Sequence, residues 1–124
     1  MIKLKSIQKY NPREPEAARK HYVQAVATGS SDLEKMAYLI SNQSTVRESD
    51  CYAVILSLVH NIMDELSAGR IVKLDKLGTF QISVSSDGVE TEEEVTSSLV
   101  NKSRINFRPD KRLKNMLSNL EFGL

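Results

Sequence analysis

The apolar positions of this chain follow two periods in turn. From Leu33 they recur at helical spacing, with Leu33, Met36, Ala37 and Ile40 on one face of a first helix that ends near Asn42. A stronger stripe follows. Cys51, Val54, Ile55, Leu58, Val59, Ile62, Met63 and Leu66 fall at i, i+3, i+4, i+7 and onward without a miss. Two helices joined by a short polar turn predict an αα-hairpin. After Gly69 the period becomes two: Val72 and Leu74 alternate with Lys73 and Asp75, then Phe80 and Ile82 share one face of Thr79-Phe80-Gln81-Ile82. Lys102 to Phe107 reads as another strand, with Ile105 and Phe107 inward and Lys102, Arg104 and Arg108 outward. Leu113, Met116, Leu117 and Leu120 then stripe a last helix. At the amino end, Ile2 and Leu4 alternate with Lys3 and Lys5, and His21 to Val26 forms a second strand. The proline-bearing stretch from about Tyr10 to Arg19 is their loop.

Local signals mark the ends of these elements. Ser31 with Glu34, and Thr45 with Glu48, fit capping boxes ahead of the two helices. Gly69 stands where a C′ glycine closes the second helix. Gly78 interrupts the strand pattern where the backbone bends or approaches something closely. Pro109 suits the first position of the last helix. Between the strands, Asp87-Gly88 is a turn dipeptide, and Thr91 with Glu94 is a third capping-box pattern. These predict a short helix over residues 90–99, packed through Val95 and Leu99. No repeat of solenoid length is present.

The predicted fold class is α+β. Residues 1–30 form an N-terminal, two-stranded extension; residues 31–124 hold the two-helix hairpin, a short antiparallel sheet and the C-terminal helix. Two blocks resemble the HU and integration host factor family of bacterial DNA-bending proteins. The first is Gly69-x-x-Val72-x-Leu74-x-x-Leu77-Gly78-Thr79-Phe80-x-Ile82, after the long amphipathic helix. The second runs from Phe107 to Lys114, with Asp110 at a position where the family carries glycine. The resemblance covers roughly residues 30–120, and the extension lies outside it. It implies an intertwined dimer that binds and bends DNA in the nucleoid. Its dimer core falls on Val54, Leu58, Ile62, Phe80 and Phe107, and its DNA contacts on Lys73, Lys76, Lys102, Arg104, Arg108, Lys111 and Lys114. The family's long basic arm, with Asn-Pro near its tip, wedges proline between base pairs. This chain has no Pro, Lys or Arg between Ser83 and Asn101.

Charge sharpens the picture. The net charge is only +1, but residues 1–30 carry six basic and two acidic side chains, and residues 101–124 six and two. Residues 70–86 hold three bases and one acid, whereas residues 87–100 hold five acids and no base. A polyanion favours the first, third and last basic stretches and is repelled by the acidic one. Phosphate binding calls for several cations on one surface, and Lys102, Arg104, Arg108, Lys111, Arg112 and Lys114 supply them.

The function classes narrow accordingly. There is no Gly-rich phosphate loop and no Gly-x-Ser-x-Gly elbow; two lone histidines make no zinc site. A non-enzymatic protein without cofactors is expected, with duplex DNA and a second copy of itself as partners. The acid run lacks the order of a calcium loop. Cys51, inside the apolar stripe, reads as a buried, inert thiol. With a single cysteine, no membrane-length apolar run and no secretory h-region, a reducing cytoplasm is the expected compartment. The rival reading is an interaction dimer that kept the fold and lost DNA binding, a reading the missing basic arm supports.

The helix stripe generates a first prediction. Eight apolar positions exceed what three short strands and one helix can cover, so the protein should be an obligate dimer. Leu58→Asp would place a carboxylate in that apolar seam and should abolish folding and dimerisation together. Sedimentation checks the dimer: a well-folded wild-type monomer at micromolar concentration would refute it.

Overall fold

The helical hairpin comes from α1 (Leu33–Asn42) and α2 (Glu48–Ser67) in the computed structural model, which describes residues 1–124. Ala37 and Cys51, both buried, mark where the helices meet. The Cys51 sulfur lies 3.9 Å from the Val46 carbonyl oxygen. The caps differ from the predicted boxes. Asp32, not Ser31, caps α1, its carboxylate accepting from the Lys35 amide at 2.9 Å. A charged oxygen gains more than a hydroxyl from the positive end of the helix dipole. Thr45 forms no box either: α2 starts after Arg47, without a side-chain cap, and the Ser44 hydroxyl takes the Val46 amide at 3.3 Å instead. The other end of α2 closes as predicted. Gly69 has φ +83°, its amide donates to Leu66 and the Arg70 amide to Glu65, the two bonds of a Schellman motif. An Arg70–Glu65 ion pair at 3.3 Å spans the same turn.

The central sheet has the order β3 (Val72–Leu74), β4 (Gly78–Ser86), β5 (Val100–Pro109), all antiparallel. The turn between β3 and β4 is not at Gly78. It occupies Asp75-Lys76-Leu77, with Lys76 at φ +75° and the Leu77 amide bonded to the Leu74 carbonyl. Asp110 holds this strained turn from outside: its carboxylate accepts from the Lys76 amide at 3.1 Å, and its own amide donates to the Leu77 carbonyl at 3.0 Å. Gly78 serves close approach instead. A methyl group there would collide with the Phe107 ring and lie 2.5 Å from the Arg108 carbonyl oxygen. Pro109 ends β5 opposite Gly78 and does not open the last helix; α3 (Lys111–Leu117) begins after Asp110 and stops before Leu120. At a strand end, proline removes no internal ladder bond.

The β4–β5 ladder runs further than the sequence predicts, to Ser86 opposite Val100, with an irregularity at Ser85/Ser86. The predicted helix over residues 90–99 does not form. Two single 3-10 turns, Glu92–Glu94 and Ser97–Leu99, take its place. Val95 stands between them in extended conformation, 61% exposed, while Leu99 is half-buried. A ten-residue helix nucleates poorly alone, and hydroxyl side chains here offer the chain other bonds. Thr96 bonds Ser98 at 2.6 Å, and Thr91 bonds the Glu94 carboxylate at 3.0 Å. The Asp87 amide bonds the Leu99 carbonyl and Asn101 bonds the Asp87 carboxylate, which closes the loop at its neck.

A second sheet joins the two ends of the chain. β1 (Ile2–Lys9) pairs antiparallel with β2 (Lys20–Val26), across a loop of residues 10–19. On its other edge β1 pairs in parallel with β6 (Phe122–Gly123), a strand the hydrophobic pattern did not reveal. No helix is long and apolar enough to cross a membrane.

Very little of this chain is covered. Four of 124 residues are buried. The accessible surface is 10850 Å², whereas a compact monomer of this mass has about 6,700 Å². Val54 is 68% exposed, and Leu58 and Phe107 are each 45% exposed.

Gly78→Ala tests the close approach that fixes the sheet. A Cβ with no room forces backbone or ring to shift, and overpacking of this kind costs about 1–3 kcal/mol. Urea unfolding should show a lower midpoint with an unchanged slope.

Candidate nucleic-acid interface

The register of the central sheet sorts its side chains. Phe80 faces Phe107 and Ile82 faces Ile105 across the ladder. These residues share one face, and the Phe80 and Phe107 rings sit 4.9 Å apart. An apolar cleft lined by Met63, Leu66, Ile82 and Ile105 shows that this face looks toward α2.

The opposite face is cationic. Thr79 pairs with Arg108, Gln81 with Asn106, Ser83 with Arg104 and Ser85 with Lys102; Lys73 enters the same row opposite Thr79. Four of the expected DNA-contact residues, Lys73, Lys102, Arg104 and Arg108, thus share a face with no carboxylate among them. Lys114 reaches the same area from α3: together with Lys73, Thr79, Gln81, Asn106 and Arg108 it lines one shallow groove. Lys76 lies apart in the β3–β4 turn, and Lys111 opens α3. None of these cations forms an ion pair; the Arg70–Glu65 pair is the molecule's one salt bridge.

The hydroxyl and amide side chains between the cations were absent from the sequence-based set. Two are already oriented by hydrogen bonds. Asn106 donates to the Ser83 hydroxyl at 2.8 Å, and the Arg104 guanidinium donates to the Ser85 hydroxyl. Their period-2 spacing with Arg104 and Arg108 was the signal that could have found them. An arrangement of spaced cations among neutral donors can bind a row of phosphate oxygens without reading bases.

Beyond the ladder's far end lie Asp87, Glu90, Glu92, Glu93 and Glu94. No group of three or more His, Cys, Asp or Glu side chains is placed to hold a metal ion.

Comparison with known proteins places this geometry. No curated protein matches the chain. Among solved structures, the chain is similar to a crystal structure described as a "Putative bacterial DNA binding protein" from Bacteroides vulgatus ATCC 8482. The TM-score is 0.67 at 14% identity, over 98% of this chain and 47% of the other. The likeness is one of fold, and this chain spans about half the length of that one. The family described as "HU domain fused to wHTH, Ig, or Glycine-rich motif" matches residues 1–123, so the match takes in the N-terminal strands that the two sequence motifs left out. With the two-helix hairpin, the antiparallel sheet and both motifs in place, the chain belongs to this HU-related family.

Proposed function

We propose that this protein is a non-enzymatic, nucleoid-type DNA-binding protein that acts as a homodimer and lays the cationic face of its central sheet against the phosphates of duplex DNA. The carrying observation is the single-face row of Lys73, Arg108, Arg104 and Lys102, spaced by neutral hydrogen-bonding side chains. Such a surface grips the backbone through charge and carries no base code, so binding is broadly sequence-independent.

The homodimer is supported by the exposed apolar surface. The surface in excess of a compact monomer is about 4,000 Å² per protomer, more than the roughly 1,000–2,500 Å² that each partner contributes to an obligate interface. Val54, Leu58 and Phe107, all largely exposed, are the residues a second copy would cover, with Ile62 and Phe80 half-covered beside them. Bending by this protein should be smaller than by relatives with a proline-tipped arm, since the loop beyond β4 has no proline to unstack a base step.

Titration against duplex DNA at two salt concentrations tests the reading. Arg104→Glu with Arg108→Glu should weaken binding to all duplex sequences alike and lower the salt slope by about one unit for each cation removed. Both side chains lie on the sheet face opposite Phe80 and Phe107, so the dimer should persist. A folded, dimeric wild type with no duplex affinity at low salt would sink the proposal. It would favour a protein-interaction dimer, a reading supported by the acidic loop beyond the ladder.

That loop generates a further prediction. Its carboxylates oppose DNA through space, so Glu92, Glu93 and Glu94 changed together to Gln should tighten binding, most at low salt. Unchanged affinity in the same titration would place the loop outside the reach of the DNA.

A further inference from the structure

The N-terminal hairpin carries a second cationic face. Its register pairs Lys5 with Gln24, Ile7 with Tyr22 and Lys9 with Lys20. Alternate residues share a face, so Lys3, Lys5, Lys9 and Lys20 stand on one side with Tyr22. The other side, with Ile2, Leu4, Val23 and Ala25, has no lysine or arginine. Lys9 directly opposite Lys20 is an unfavourable cross-strand pair, and no carboxylate forms an ion pair with either. The Lys9 ammonium lies 5.4 Å from the centre of the Tyr22 ring, and Arg19 lies 5.7 Å from that of Tyr10. Lys9, Lys20, Tyr10 and Tyr22 also line one concavity at the root of the loop, together with the Glu14 carboxylate. Every residue from Lys9 to Ser30 is exposed, so this end of the hairpin is open to a ligand.

We propose that this lysine-bearing face is a second phosphate-binding site for duplex DNA, a basic arm where the central hairpin has an acidic loop. The inference rests on the reading of the protein as a duplex binder. Lysines two residues apart on a strand are separated by about 7 Å. Phosphates form a continuous row of charges along each DNA strand, so such a file can follow that row. An unopposed Lys–Lys pair is a cost in the free protein that a polyanion removes. An anionic membrane fits less well. The loop, Tyr10-Asn11-Pro12-Arg13-Glu14-Pro15-Glu16-Ala17-Ala18-Arg19, offers no Leu, Ile, Phe or Trp for insertion.

The test compares two variants of the full chain with wild type on a random-sequence duplex. In one, Lys3, Lys5, Lys9 and Lys20 are changed to Gln; the other is Arg104→Glu/Arg108→Glu. The lysine variant should lower the salt slope by about 0.9 for each phosphate it no longer neutralises, up to about 3.6, and shorten the hydroxyl-radical footprint. Lys9→Gln/Lys20→Gln alone removes a like-charge pair, so it keeps the fold and should show about half that change. If the lysine variants keep the wild-type slope and footprint while the arginine variant loses affinity, the arm is refuted and the sheet-face reading stands. No duplex binding by wild type would overturn both. Loss of binding to phosphatidylserine vesicles, with DNA affinity unchanged, would overturn the arm in favour of a lipid surface.

Discussion

The two faces of this molecule depend on the register of β4 against β5. With that register, Phe80, Ile82, Ile105 and Phe107 look toward α2, and Lys102, Arg104 and Arg108 look away. A slip of one residue would exchange the faces, pressing three cations against a helix and leaving the aromatic rings in water. What prevents the slip lies at one end of the ladder. Gly78 is the residue that lets the Phe107 ring and the Arg108 backbone close on β4. The Phe80–Phe107 contact fills the space beside it. Asp110 then ties the β3–β4 turn to the start of α3 through Lys76 and Leu77. The aspartate at a position where the HU motif has glycine therefore has a local structural role, independent of any ligand.

The same sheet leaves much of the chain's apolar surface uncovered. Its apolar face meets only the end of α2, and the helical hairpin contributes just Ala37, Cys51 and Leu66 to the buried core. Covering the exposed parts of Val54, Leu58 and Phe107 in the proposed dimer would contribute about 1–2 kcal/mol each. Summed per protomer, that is a sizeable share of the stability of a typical domain, about 5–15 kcal/mol. In the proposed dimer folding and association would then be coupled, with the helix stripe serving as an intermolecular seam as well as a core.

Periodicity made the main elements legible. The stripe of α2, the alternation around Phe80 and Ile105, the loop from Tyr10 to Arg19 and the C′ glycine at Gly69 all reflect local chemistry that a sequence exposes directly. What escaped depends on partners distant in sequence. The role of Gly78 is set by Phe107, and the parallel strand at Phe122–Gly123 exists only because β1 lies beside it. Capping boxes misled three times, since Ser31, Thr45 and Thr91 each had a neighbour or an alternative bond that served better. The outward cations of β5 were legible, but the entry of Lys73 into their row was not. That required the register, which also brought Thr79, Gln81, Ser83 and Asn106 among them.

Position along the ladder ranks the cations within the proposed DNA complex. Lys102 pairs with Ser85 at the neck of the acidic loop, where Asn101 bonds the Asp87 carboxylate. Arg108 pairs with Thr79, six residues away along the strand, or about 20 Å. Two Debye lengths at physiological salt amount to about 16 Å, so the loop's carboxylates partly cancel the attraction of Lys102 but scarcely reach Arg108. Lys73 and Lys114 share the groove of Arg108 and gain the same shelter. The potential thus falls along a single sheet face, from the end pinned by Gly78 and Asp110 to the end capped by glutamates. In the proposed complex a duplex following that gradient would settle at the Gly78–Asp110 end, away from the loop. The geometry that fixes the register and the cations proposed to meet the phosphate backbone therefore coincide in one region of the fold.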